Sequence, residues 1–157
     1  MKFKTAEDMD APIGFVYEHM TDFAHFEADI RGRGGELRRV DGWTEAARGV
    51  RWRGVAAVRG KTRKIEAELV ELTRDDMAVI EIAVGGMDAR YQLAFIALSS
   101  NVTRVATELN LKPNTLTARL IIQTMKLVRG RVLQRMTATL ARQGNRIETA
   151  WRRRAKS

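Results

Sequence analysis

Gly60-Lys61-Thr62 spells the end of a phosphate-binding loop, in which backbone N–H groups cradle phosphate and the lysine reaches it. The rest of the motif is missing: such a loop needs glycine at position 55, where Val55 stands, and Gly54 is one residue early. Arg59 to Thr62 also joins two strand-like runs, whereas a phosphate loop must open a helix. A hairpin turn is expected there instead. His19 and His25 are the only histidines. They are six positions apart across a helix break, without the i, i+4 same-face spacing of a metal pair. They read as helix-surface residues, and neither a metal nor a cofactor is expected. Serine occurs at Ser99, Ser100 and Ser157; the first two are turn residues, which leaves no serine nucleophile with a base. Acid–base work would fall to Tyr91, Glu66 or His25. Glu66 and Glu68 alternate with Ile65 and Leu69, which points them away from a core. Arg31-Gly32-Arg33-Gly34-Gly35 could hold an anion through guanidiniums and backbone N–H groups, or be a polar loop.

The elements that would position these groups follow from periodicity. Residues 2–9 alternate as a first strand anchored by Phe3. Asp10-Ala11-Pro12 opens a helix, since a proline in the first turn forgoes an N–H that would have no partner. Ile13, Val16, Tyr17 and Met20 form one helical face. Thr21 and Asp22 cap a second short helix with Phe23, Phe26 and Ile30, which the glycines after Arg31 end. Strands are then predicted at 36–41, 50–59, 62–73, 77–84, 87–98 and 102–111. Short turns between them predict an antiparallel meander. The apolar phase shifts after Leu69, which predicts a bulge. After Lys112-Pro113-Asn114, Ile121, Met125, Val128, Val132, Met136 and Leu140 recur every three or four residues. That stripe is too long for a strand and predicts one long helix ending near Gly144, with Gly130 on its opposite face. A single domain over 1–147 and a loose basic tail over 148–157 are expected.

The charge is placed unevenly. The 157-residue chain carries +9, yet from Arg119 onward there are 11 Lys and Arg against one acid, Glu148, leaving 17 basic and 18 acidic residues elsewhere. Arg129, Arg135, Arg142, Arg146, Arg152, Arg153 and Arg154 form the bulk of this block. They are the candidates for docking on an anionic membrane or, secondarily, on nucleic acid. There is no cysteine, hence no disulfide and no thiolate chemistry. No apolar run approaches the roughly 20 residues of a membrane span. Glu7 and Asp8 interrupt the place where a signal peptide is apolar. A cytoplasmic protein is expected.

Met9-Asp10-Ala11-Pro12-Ile13, then Val16-Tyr17, Thr21-Asp22-Phe23, and Pro113 before the last helix are similar to motifs of the SRPBCC superfamily. That superfamily includes START-type lipid-binding domains and polyketide cyclase/dehydrase-like proteins. The layout of nearly the whole chain resembles it. The resemblance implies an α+β helix-grip fold, a curved antiparallel sheet wrapped around a long C-terminal helix. A cavity for a hydrophobic molecule is implied between the two. Trp52, Tyr91 and Phe95 share the inward strand phase, and Met125 and Val128 lie on the facing helix stripe. Together with Phe26 and Ile82 they either pack as a closed core or line an apolar pocket. The reading that follows is a non-enzymatic binder of a lipid, quinone or polyketide-like molecule, oriented by Tyr91. The alternatives are a cyclase/dehydratase-type enzyme in the same cavity and an RNA- or ribosome-associated factor using the basic helix.

Overall fold

In the computed structural model the described residues are all but 33, 43–45, 59 and 157, with the side chains of 58, 155 and 156 also outside the description. Strand β1 (Lys2–Met9) is followed by helices α1 (Ile13–Met20) and α2 (Phe23–Gly32). Strands β2 (Glu36–Arg39), β3 (Arg51–Val58), β4 (Lys61–Thr73), β5 (Met77–Val84), β6 (Met87–Ser99) and β7 (Val102–Pro113) come next, then α3 (Leu116–Leu127) and α4 (Arg129–Lys156). The seven strands form one antiparallel sheet in the order β1-β7-β6-β5-β4-β3-β2. The meander is therefore as the turn spacing predicts, with β1 returning to pair with β7.

Local chemistry explains the boundaries. Gly85 and Gly86 both have positive φ and close a two-residue hairpin between Val84 and Met87, the turn that matches strand twist. The β4–β5 register slips between Leu69 and Glu71, at the bulge that the apolar phase shift predicts. Gly60 takes positive φ in the β3–β4 turn, so Gly60-Lys61-Thr62 is a hairpin and not a phosphate loop. Asp22 Oδ1 accepts from the Ala24 N–H at the start of α2. Thr115 caps α3, accepting from the Ala118 N–H.

Three expectations about the C-terminal segment are corrected. The predicted single stripe is broken at Val128, whose backbone leaves helical geometry (φ −117°, ψ 24°). The physical reason is that the two halves bury their faces on different partners. Ala118 and Ile122 of α3 pack on Met87 in a small second cluster. Leu140 and Ile147 of α4 join the main core with Met9, Tyr17 and Phe95. Gly130, next to the break, lowers helix propensity there by about 1 kcal/mol. Gly144, read as the helix end, lies mid-helix instead: a Cβ there would press on Met9 and Glu7 side chains, at 3.3 Å from Met9 Cγ. Glycine here lets α4 approach β1. The helix continues to Lys156, and Trp151 packs edge-on against Phe15 at 5.0 Å. Residues 148–156, expected as part of a loose tail, are the last turns of α4. Among the described residues no helix is long and apolar enough to cross a membrane.

Candidate functional site

Alternation along the strands sends one set of side chains to the concave face. Register aligns them in rows across the sheet. Trp52, Ala67, Ile82, Ala89 and Leu111 form one row; Leu69, Ile80, Tyr91, Leu109 and Phe3 form the next. The two ends of this face differ. Toward α1 and the end of β1, Phe95, Val105 and Met9 are sealed under Tyr17 and α4. Toward β5, β6 and the end of β7, Ile82, Val84, Tyr91, Leu109 and Leu111 also point inward, yet all are only half-buried. Helix α4 packs mainly along β1, and so leaves these strands incompletely covered. Leu133 and Met136 share the face of α4 that carries Leu140, and they too are half-buried. On the other side Phe26 and Ile30 of α2 close over the main core. The result is a stretch of partly covered apolar side chains on the concave face, beside the sealed core.

Trp52 and Phe95 are fully packed. Trp52 has no exposed surface, Phe23 and Phe26 meet its ring edge-on at 5.1 and 5.7 Å, and Phe95 meets Tyr17 at 5.4 Å. Both form the floor beside the half-open stretch. Met125 lies on the inner face of α3, against the second cluster. Val128, placed by sequence on the lining stripe, stands at the helix break and is 37% exposed. Its stripe ends where α3 stops, so it is removed from the lining.

Tyr91 is the polar group of this stretch. Burial pushes its hydroxyl up to about 12, and the nearby Asp29 carboxylate on α2 adds to the shift. The phenol is thus neutral, a hydrogen-bond donor at any physiological pH. Among the described residues nothing hydrogen-bonds to it. Sequence reasoning missed a second polar feature. A single oxygen of Glu27 accepts from Arg39 Nε at 2.6 Å and from Trp52 Nε1 at 3.1 Å. This ties α2 to β2 and β3 over the core, and only the fold brings these three positions together.

The other chemistry-bearing residues lie elsewhere. Glu66 and Glu68 are exposed on the convex face, and Glu66 lies 3.8 Å from Arg53. His25 is exposed and faces Asp22 at 3.2 Å. His19 bonds the Phe15 carbonyl within its own helix. Among the described residues no three of His, Cys, Asp and Glu cluster as a metal site. Arg33 of the glycine-rich loop lies outside the described residues.

The basic residues divide. Arg129, itself exposed, folds back over β1, donating to the Lys2 carbonyl with its guanidinium 4.9 Å from the Phe3 ring. Arg154 lies over Phe15 at 5.7 Å. Arg142 and Arg152 donate to threonines one turn back, at 3.2 and 3.4 Å. By helical spacing Arg131, Arg135, Arg142, Arg146 and Arg153 share the face of α4 opposite Leu140, and all are exposed.

No protein-family model and no curated protein matches the sequence. Solved structures do match, over nearly the full length. An aromatase/cyclase, Zhui, from Streptomyces sp. R1128 has a TM-score of 0.66 at 13% identity, covering 96% of this chain and 97% of its own. A protein from Thermus thermophilus has 0.65 at 18%, covering 96% and 99%. Norcoclaurine synthase from Thalictrum flavum, solved in complex with dopamine and hydroxybenzaldehyde, has 0.64 at 9%, covering 94% and 85%. A START superfamily protein from Mycobacterium smegmatis matches as well, with 0.55 at 9%. At these identities the likeness is one of fold. The chain has the SRPBCC/START-like helix-grip fold, as its N-terminal motifs suggest.

Proposed function

We propose that the protein binds a hydrophobic small molecule, of lipid, quinone or polyketide type, on the half-open concave surface between β5–β7 and the C-terminal helices. One observation carries this reading. Ile82, Val84, Leu109 and Leu111 are large, apolar and inward-pointing, yet they remain half-buried while the other end of the same face is sealed. A closed core would have covered them, at roughly 25 cal/mol for each Å² of apolar area. Tyr91 is the polar group that orients the ligand by donating to a carbonyl or hydroxyl oxygen. The fold is one on which small aromatic molecules are bound in norcoclaurine synthase. Binding is favoured over catalysis because, of the three acid–base candidates, Glu66 and His25 lie on exposed surfaces and Tyr91 remains. A phenol held neutral up to about 12 donates a hydrogen bond well and accepts protons poorly.

The test is native mass spectrometry of gently purified protein, followed by organic extraction, alongside titration with an environment-sensitive apolar fluorophore. A bound apolar adduct, or saturable fluorophore binding that Ile82→Asp abolishes without unfolding the protein, is the expected result. An empty protein whose fluorophore signal is unchanged by Ile82→Asp and by Leu109→Asp refutes the reading.

A further inference from the structure

Helix α3 has two apolar faces. Ala118, Ile122 and Met125 pack inward on Met87, Val84 and Leu111. Leu116, Leu120 and Leu127 fall on the opposite side, at i, i+4 and i+11, and are 74%, 60% and 87% exposed. A scattered exposed leucine is ordinary, but three in one stripe on a twelve-residue helix are a patch. The helix contains no acid; Arg119 and Lys126 lie along one edge of the stripe. The neighbouring α4 continues with five outward arginines, and its one acid, Glu148, is engaged by the Asp10 N–H.

We infer that α3 is the membrane-docking element of this protein: its outer leucines insert into the interfacial region of an anionic bilayer, while Arg119, Lys126 and the outward arginines of α4 hold the phosphate headgroups. Charge selects this occupant over the others. A second copy apposed across the same patch would add a second set of these cations at the seam, with no acid on α3 to offset them. Three leucines also cover far less than the roughly 800 Å² per partner of a stable interface. Nucleic acid would pair with the arginines but leave the leucines in water. Trp151, the aromatic of the basic helix, is packed on Phe15 and not free to stack on bases. An interfacial helix combines the features α3 shows, an apolar stripe bordered by Lys and Arg.

The position matters for the proposed function. The inner face of α3 touches Val84 and Leu111, two residues of the half-open surface. Docking through the outer face brings that surface to the bilayer, where a hydrophobic ligand is exchanged. This link rests on the ligand-binding reading; the docking itself does not, and the assay below reads docking alone.

The experiment is flotation of the full chain with phosphatidylcholine vesicles, with and without phosphatidylserine, at low and high salt. The wild type should float with the anionic vesicles only, and less at high salt. A Leu116→Asn/Leu120→Asn/Leu127→Asn variant, altered at exposed positions alone, should keep its circular dichroism and bind at least roughly tenfold more weakly. An Arg135→Ser/Arg146→Ser/Arg153→Ser variant should lose the preference for anionic lipid. Undiminished flotation of the leucine variant overturns the assignment to α3. So does a wild-type dimer that the leucine variant makes monomeric without vesicle binding, which would name a second copy as the occupant. RNA binding that excludes vesicles overturns it in favour of nucleic acid. Should flotation fail while apolar fluorophore still binds, the inference falls and the ligand-binding reading stands.

Discussion

Replacing Tyr91 by phenylalanine tests the electrostatic character of the concave surface directly. The chain has two tyrosines, Tyr17 and Tyr91, so phenolate formation is assignable by difference. Burial raises the Tyr91 hydroxyl from an ordinary 10 to about 12. Two units at about 1.36 kcal/mol each give about 2.7 kcal/mol of preference for the neutral phenol in the folded state. The ring is half-buried, so about 1–2 kcal/mol is the working figure once solvent screening is allowed for. The sign follows from the direction of the shift. The neutral form is favoured by folding, so this contribution is full below the unfolded value near 10 and is lost as pH rises toward 12. A stopped-flow jump to alkaline pH, read by phenolate absorbance before unfolding, should show no ionisation of Tyr91 near 10. In urea denaturation the wild type should lose about 1–2 kcal/mol more than Tyr91→Phe between pH 9 and 12, because Tyr17 and the lysines contribute equally to both. The same variant should weaken a carbonyl-bearing ligand by roughly tenfold relative to a ligand without one. A phenolate midpoint near 10 that disappears in Tyr91→Phe would refute the placement of this hydroxyl in an apolar surround.

Three further outcomes are expected. Glu27→Ala leaves the Trp52 indole N–H and the Arg39 guanidinium without their shared acceptor and should cost about 2 kcal/mol in urea denaturation, whereas Glu27→Gln, which still offers an oxygen, should cost less. Gly54→Ala drives a Cβ onto the Glu36 carbonyl across the β2–β3 ladder; it should cost about 3 kcal/mol and selectively speed amide exchange in β2. Arg104 grips both oxygens of Asp8, at 2.8 and 3.2 Å, and holds its carboxyl below the usual carboxylate range. The stabilisation is therefore present above the ordinary value and lost as pH falls through the depressed one, so Asp8→Asn should flatten the acid limb of a Tm-against-pH curve.

The strands, their turns and the bulge were legible in sequence because each rests on local chemistry. A period of two, a pair of glycines or a slip in phase is written in adjacent residues, and the strands of 77–84 and 87–98 emerge nearly to the residue. The polar groups of the candidate surface were legible only in part. Tyr91 could be placed on the inward phase, and Glu66 and Glu68 on the outward one, from alternation alone. Glu27, Arg39 and Trp52 could not be joined, since their meeting depends on how α2 folds back over β2 and β3.

The C-terminal helix marks the division most clearly. Sequence alone determined that a long amphipathic, basic helix closes the chain, because a 3.6-residue period and the placement of charge need no partner to be read. It could not determine that Val128 breaks this helix or that Gly144 continues it. It also could not show that the leucines of α3 face water, nor that β5–β7 keep their inward residues half-buried. Those outcomes turn on which surface each turn of helix meets: β1 at Gly144, the Met87 cluster at Ile122, and open solvent at Leu127. Periodicity reveals that a face is apolar; only packing decides what covers it.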